Sequence, residues 1–164
     1  MPDVELTAGY VPGAISAIVA LHAQYYKHGF ALGLAFEARV AIEISSFLLN
    51  LDPACDSLII ATSGGSIIGS ITVDGRTLGP MEAQLRWFVF DSRHGGVESA
   101  LMQEALKFCV ARNFRRVLIS TVEGSPLVDR LTHTWGFNLF HQSTGHQWDR
   151  PIEEILFERG LTAH

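Results

Sequence analysis

Charge is scarce in this chain. Only 18% of its 164 residues are Asp, Glu, Lys or Arg, and the 17 acids outnumber the 12 Lys and Arg, for a formal net charge of −5 and a pI near 5.7. No basic run or aromatic-interleaved basic stripe occurs, which excludes a general nucleic-acid binder, because such binding rests on Lys and Arg neutralising phosphates. The densest basic group, Arg112, Arg115 and Arg116, reads as cations complementing a helix C-terminus. Cysteine is sparse too: Cys55 and Cys109 have no metal-ligand spacing, and Cys109 falls on an apolar helical face as a buried free thiol. That usage points to a reducing compartment, hence the cytoplasm. No apolar run reaches membrane-spanning length, and no charged segment followed by an apolar one opens the chain, so no membrane partner is expected.

What is plentiful is apolar material. Hydrophobic residues make up 48% of the chain, enough for a sizeable core in a single domain, residues 1–164. No linker, repeat or low-complexity segment interrupts it. Val4 to Tyr10 reads as a strand closed by Pro12-Gly13. A helix follows with Ile15, Ile18, Val19, His22, Tyr25 and Tyr26 on one face, predicted to break at Lys27-His28-Gly29. A second helix carries Phe36, Val40, Ile44, Phe47 and Leu48. Leu58–Thr62 and Ile67–Val73 form a hairpin around Ser63-Gly64-Gly65-Ser66. A strand from Ala83 to Asp91 precedes a third helix that Asn113 caps. Next come a short buried strand, Arg116–Thr121, and a helix opened by Ser125-Pro126 and stopped by Gly136. Phe137–Gln142 and Glu153–Glu158 complete a β-α-α-β-β-β-α-β-α-β-β order, which predicts a mixed sheet with helices on its faces.

The most informative stretch is Asp91-Ser92-Arg93-His94-Gly95-Gly96-Val97-Glu98-Ser99, where a core strand feeds a glycine loop that opens directly into an amphipathic helix. A helix N-terminus has unpaired N–H groups and a partial positive charge, and glycines let a pyrophosphate approach that backbone closely. This is the layout of a phosphate cradle.

With these elements in place, the chain resembles the GNAT superfamily of acetyl-CoA-dependent N-acetyltransferases over nearly its whole length. The resemblance rests on the element order, on Leu85-Arg86-Trp87-Phe88-Val89-Phe90-Asp91 with the Arg93-x-x-Gly96 loop, and on Leu131-x-x-x-Trp135-Gly136-Phe137. The stretches Phe36-Glu37-Ala38 and Leu51-Asp52-Pro53 are similar to acetyltransferase domains fused behind MarR-type regulators. The resemblance implies an α+β fold: a mixed, mostly antiparallel seven-stranded sheet flanked by four helices, with the strands at Ala83 and Arg116 parallel neighbours. It implies acetyl-CoA as cosubstrate, its pantetheine arm pairing with the Phe88, Val89 and Phe90 backbone. Arg93, His94, Gly95, Gly96, Val97, Glu98, Ser99 and Ser125 would complete the cofactor site.

Two positions depart from the family pattern. Glu98 stands where the loop ends on glycine or alanine, and a carboxylate there repels pyrophosphate. Thr132 stands where the family has its tyrosine acid, and threonine is a far weaker proton donor to a thiolate. Thr132 and the adjacent His133 are the candidate catalytic residues, although a helical histidine is also commonly just solvated. Tyr25, Glu37, Glu82, Arg86 and Trp148 are candidates for the acceptor pocket. Arg86, two residues before Phe88, is expected on the same face, paired with Glu37 or a substrate carboxylate. His22 reads as a packed, hydrogen-bonded residue. His141 and His146 lack supporting ligands, so no metal is expected. The reading is an acetyltransferase acting on a small-molecule or peptide primary amine by direct attack, with a homodimer left open. The alternative is a degenerate, non-catalytic CoA-binding or regulatory module.

Overall fold

The computed structural model describes residues 3–30, 33–145 and 151–162, with residues 26–30 described in backbone only. Trp148 and His146 lie outside the described residues. The elements are β1 (Val4–Ala8), α1 (Ala14–Phe30), α2 (Leu34–Leu49), β2 (Ser57–Ser63), β3 (Ser66–Asp74), β4 (Glu82–Phe90), α3 (Val97–Ala111), β5 (Arg116–Val122), α4, β6 (Asn138–Gly145) and β7 (Ile152–Gly160). The fourth helix is a single α turn, Leu127–Asp129, continuing as a π turn, Arg130–Thr134. Helix α1 runs on to Phe30, past the break expected at Lys27-His28-Gly29.

One seven-stranded sheet, in the order β1-β2-β3-β4-β5-β7-β6, organises the molecule. Only β4 and β5 are parallel; the other five pairings are antiparallel. The β2–β3 hairpin closes at Ser63↔Ser66 around Gly64 and Gly65, with φ of +57° and +80°. A two-residue turn with both φ values positive matches strand twist, and glycine adopts it without strain.

Helices cover both faces of the sheet. Helices α1 and α2 bring Ile18, Val40 and Ile44 onto Leu58, Ile60, Trp87 and Val89, and α3 and α4 bring Leu101, Met102, Ala105 and Leu131 onto Ile59, Ile71, Leu85 and Ile119. Alternate residues of β2 thus bury on opposite sides, which is why that strand reads as a continuous apolar run. Each fully buried Ile or Leu contributes about 1.5–3 kcal/mol of burial free energy.

Strand β4 is irregular where it matters. Ser70↔Val89 is followed by Thr72↔Arg86, so two steps along β3 face three along β4. The extra residue sits beside Trp87, whose φ is +48°. The bulge frees two carbonyls, and β3 satisfies both: Ser70 Oγ donates to Trp87 O at 3.0 Å and Thr72 Oγ1 to Arg86 O at 2.9 Å.

Candidate functional site

The bulge changes which way β4 faces. Alternation places Arg86 with Phe88, but the extra residue turns Arg86 and Trp87 together toward α2 while Phe88 packs on the α3–α4 side. The Arg86 guanidinium lies 4.1 Å from the Trp87 ring centroid. Its partners are Glu43 at 3.3 Å and Asp74 at 3.4 Å, so the expected pairing with Glu37 is incorrect. The buried stripe of α2 is Phe36, Val40, Ile44 and Phe47. At about 100° per residue, Glu37 and Glu43 flank that stripe on opposite sides. Glu43 therefore faces β4, while Glu37 is exposed beside Ser16 and Val19 of α1, away from the site.

Past Leu85↔Ile119 the parallel pairing of β4 and β5 ends. Arg86 to Phe90 stay with β3, and Ser120 to Val122 stay with β7. Two cavities occupy the divergence and share Leu127 as a wall. One, of about 340 Å³, lies among α1, α2, β4 and β5, with His22, Arg39, Glu43, Arg86, Phe88 and Thr121 on its walls. The other, of about 290 Å³, is lined by Tyr25, Phe90, Gly95, Glu98 and Arg130 and opens under the glycine loop. Glu82 belongs to neither. It stands at the paired end of the two strands, opposite Arg116, and receives a hydrogen bond from that guanidinium at 3.1 Å, so its expected place at the acceptor pocket is corrected to a strand-locking ion pair.

Gly96 has φ +84°, which favours glycine, and a Cβ at Gly95 or Gly96 would meet nothing within 4 Å, so the backbone is open to close approach. The first bond of α3 runs from Ala100 N to Gly96 O, leaving the Glu98 and Ser99 amides without a backbone acceptor among the described residues. Val97 is buried, and its backbone N–H donates to His94 O at 3.4 Å. Arg93 folds back on Asp91, with Nη2 donating at 2.6 Å, and lowers that carboxyl to a pKa of about 2. Arg93 and His94 line a separate cavity against α1.

The Glu98 carboxylate does not stand alone: it is ion-paired. Arg130 Nη1 donates to Glu98 at 2.8 Å and its Nη2 to Ser99 Oγ at 2.9 Å, setting a guanidinium over the first turn of α3. Sequence reading missed Arg130, because its partner lies 32 residues away. It also missed Arg39 and Glu43, whose i,i+4 spacing on α2 was the available signal.

The candidate acids are less favourably placed. Thr132 Oγ1 donates to Val128 O at 3.1 Å, and His133 is exposed on the same turn. Neither lines either cavity. Tyr25 does, hydrogen-bonded to Ser125 Oγ at 3.3 Å, and burial raises its pKa above the usual 10.0. Ser125, one residue before the N-cap Pro126 rather than at the cap itself, accepts from Leu127 N at 3.3 Å. His22 is 6% exposed, and its Nδ1 lies 2.8 Å from Ile18 O. A carbonyl only accepts, so Nδ1 carries the proton there. Burial lowers the imidazole pKa to about 4, so the ring is neutral near pH 7.

No protein-family model and no curated protein sequence matches this chain. Solved structures do. A ribosomal-protein-alanine N-acetyltransferase from Brucella melitensis superposes with a TM-score of 0.72 at 13% identity, over 96% of this chain and 99% of that one. An acetyltransferase of the GNAT family from Staphylococcus aureus Mu50 gives 0.75 at 14% identity, over 98% and 100%. This chain has the GNAT fold. A third structure with that fold, yncA of Salmonella typhimurium solved with its cofactor acetyl-CoA, gives 0.67 at 15% identity, over 98% and 96%. In the GNAT fold of the present chain, the strand divergence, the paired cavities and the glycine loop all fall at one end of the sheet.

Proposed function

We propose that this chain transfers the acetyl group of acetyl-CoA to a primary amine by direct attack. The observation that carries the reading is the parting of β4 and β5 beyond Leu85↔Ile119, with two cavities meeting at Leu127 beneath the glycine loop. The backbone of Phe88 to Phe90 would hold the pantetheine arm as an added strand, and the Gly95, Gly96, Glu98 and Ser99 amides with Arg130 would hold the pyrophosphate. The thioester supplies an activated carbonyl: the amine nitrogen bonds to its carbon and gives up a proton, the C–S bond breaks, and the thiolate takes up a proton. Much of the rate in such a site comes from positioning.

This chain's own residues favour a particular acceptor. Two guanidiniums, Arg39 and Arg86, line the larger cavity with one carboxylate, Glu43. Like charge nearby disfavours an ammonium and so favours the neutral, nucleophilic amine, while a carboxylate on the acceptor would be attracted. An amine bearing a carboxylate is therefore preferred over a polyamine. Tyr25, kept protonated by burial, is the phenol available to the departing thiolate. The two free cysteines accord with a reducing cytoplasm.

One observation favours a non-catalytic CoA-binding module instead: the Thr132 hydroxyl is bonded to its own helix and supplies no acid. An assay of thiol release from acetyl-CoA with amino acids, diamines and peptides separates the two readings. The expected outcome is release with carboxylate-bearing amines, slowed about 10²-fold in Tyr25→Phe. Binding of acetyl-CoA with no thiol release from any amine would favour the module.

A further inference from the structure

We propose that the outward face of α2 is a self-association surface, on which two copies of this chain pair α2 against α2, antiparallel, about a two-fold axis. The side of a surface helix away from the core normally carries its charged residues. On α2 it is apolar. At about 100° per residue, Leu34, Ala38, Ala41, Ile42, Ser45 and Leu49 fill one sector about 100° wide, on the far side from the buried Phe36, Val40, Ile44 and Phe47. Leu34, Ile42 and Leu49 are 80%, 69% and 86% exposed, the three most exposed large apolar side chains among the described residues. Ser45, the one polar side chain of the sector, donates its hydroxyl to Ala41 O at 2.6 Å and so needs no outside partner. A helix apolar all round is normally covered all round, and the sheet covers only one side of α2.

The pattern within the sector says what covers the other side. Counted outward from the midpoint between Ala41 and Ile42, Ala38 and Ser45 are equidistant, and so are Leu34 and Leu49. A two-fold axis crossing α2 there sets Leu34 level with the partner's Leu49, Ala38 level with the partner's Ser45, and Ile42 beside its own copy. Large side chains meet at the ends and small ones between them, the self-complementarity that an isologous contact demands. Antiparallel helices also set each positive N-terminus beside the partner's negative C-terminus. Charge fits the same arrangement. Glu37 flanks the sector, and its two copies would lie about 13 Å apart along the axis, beyond the screening length of about 8 Å. In a chain of net charge −5, a face with no carboxylate is one where two copies meet without repulsion, and its lack of Lys and Arg argues against an anionic membrane as the occupant. A groove of about 520 Å³ alongside, lined by Tyr10, Ile15, Val19, Ala20 and Ala41, carries the apolar surface onto α1. The α2 face alone is about 24 Å long. That is less than the roughly 800 Å² per partner of a standard interface requires, so the groove belongs to the contact and association is expected at micromolar concentrations.

Sedimentation velocity of the intact chain, over a series from low to hundreds of micromolar and without ligand, tests this independently of the function proposed above. The wild type is expected to pass from monomer to dimer. Ile42→Glu sets two carboxylates across the axis and is expected to weaken the dimer at least about tenfold. Because Ile42 is exposed, the melting temperature of the dilute variant is expected to match that of the dilute wild type. Leu34→Glu alone is expected to weaken the dimer, and adding Leu49→Lys to restore it to within about threefold of the wild type at low salt, since opposite charges then meet at both ends of the pair and each suits the α2 dipole. A wild type that stays monomeric throughout overturns the inference and leaves the face to a different protein. A dimer that Ile42→Glu leaves as tight as the wild type overturns it as well, by placing the contact elsewhere. Failure of Leu49→Lys to restore Leu34→Glu overturns the antiparallel pairing.

Discussion

His22 shows how burial alone can set the pH response of a fold. The folded chain protonates it only below pH about 4, against the ordinary 6.5 expected in the unfolded chain, because desolvation penalises the imidazolium. Between those values the unfolded state binds the extra proton, so stability falls as the pH drops from 6.5 toward 4. At roughly 1.4 kcal/mol per pH unit, the loss is on the order of 3 kcal/mol. Chemical denaturation at pH 7 and at pH 4.5 is expected to show a clear drop for the wild type and a markedly smaller one for His22→Gln. Equal drops would place the acid sensitivity in other groups.

Between elements, the Glu98–Arg130 pair joins the start of α3 to α4 and decides what an anion meets at the loop. The carboxylate occupies the helix's positive end and engages Arg130, the one arginine lining that cavity among the described residues. Glu98→Gln removes the competing negative charge and leaves Arg130 for the ligand, so CoA is expected to bind about fivefold more tightly, on the order of 1 kcal/mol. Arg130→Gln is expected to weaken CoA binding and to leave the Glu98 charge unopposed. Titration calorimetry on both variants reads this directly, and tighter binding in Arg130→Gln would remove the arginine from the anion site.

At the scale of the whole molecule, one sheet carries two apolar layers, and each holds a tryptophan: Trp87 with α1 and α2, Trp135 with α3 and α4. Because alternate residues of β2 and β4 feed both layers, losing one exposes the back of the other. A single cooperative transition is therefore expected. In a Trp148→Phe background, fluorescence of Trp135→Phe, which leaves Trp87 to report its layer, and of Trp87→Phe, which leaves Trp135, is expected to show each midpoint coincide with that variant's own transition by circular dichroism. A fluorescence transition separated from the backbone transition would show that the layers unfold apart. Among the described residues no helix is long and apolar enough to cross a membrane.

The order of elements was legible because periodicity is local: the Phe36–Phe47 stripe, the Gly64-Gly65 turn, and Ser125 and Gly136 bounding α4 each act within a few residues. The glycine loop and its helix were legible for the same reason, whereas the parallel pairing of β4 with β5 was implied by the family resemblance. The break expected at Gly29 was overridden, since a single glycine costs a helix only about 1 kcal/mol. What only the tertiary structure decided involves partners distant in the chain. Nothing local announces a non-glycine residue at φ +48°, yet the bulge at Trp87 turns Arg86 toward α2 and is stabilised by hydroxyls from β3. Glu43 rather than Glu37 meets that arginine because of how α2 is rotated on the sheet, and Glu98 is countered by a residue 32 positions away. Short-range torsional and hydrophobic preferences are written into neighbouring residues, whereas the pairing of charges across elements exists only once the layers have packed.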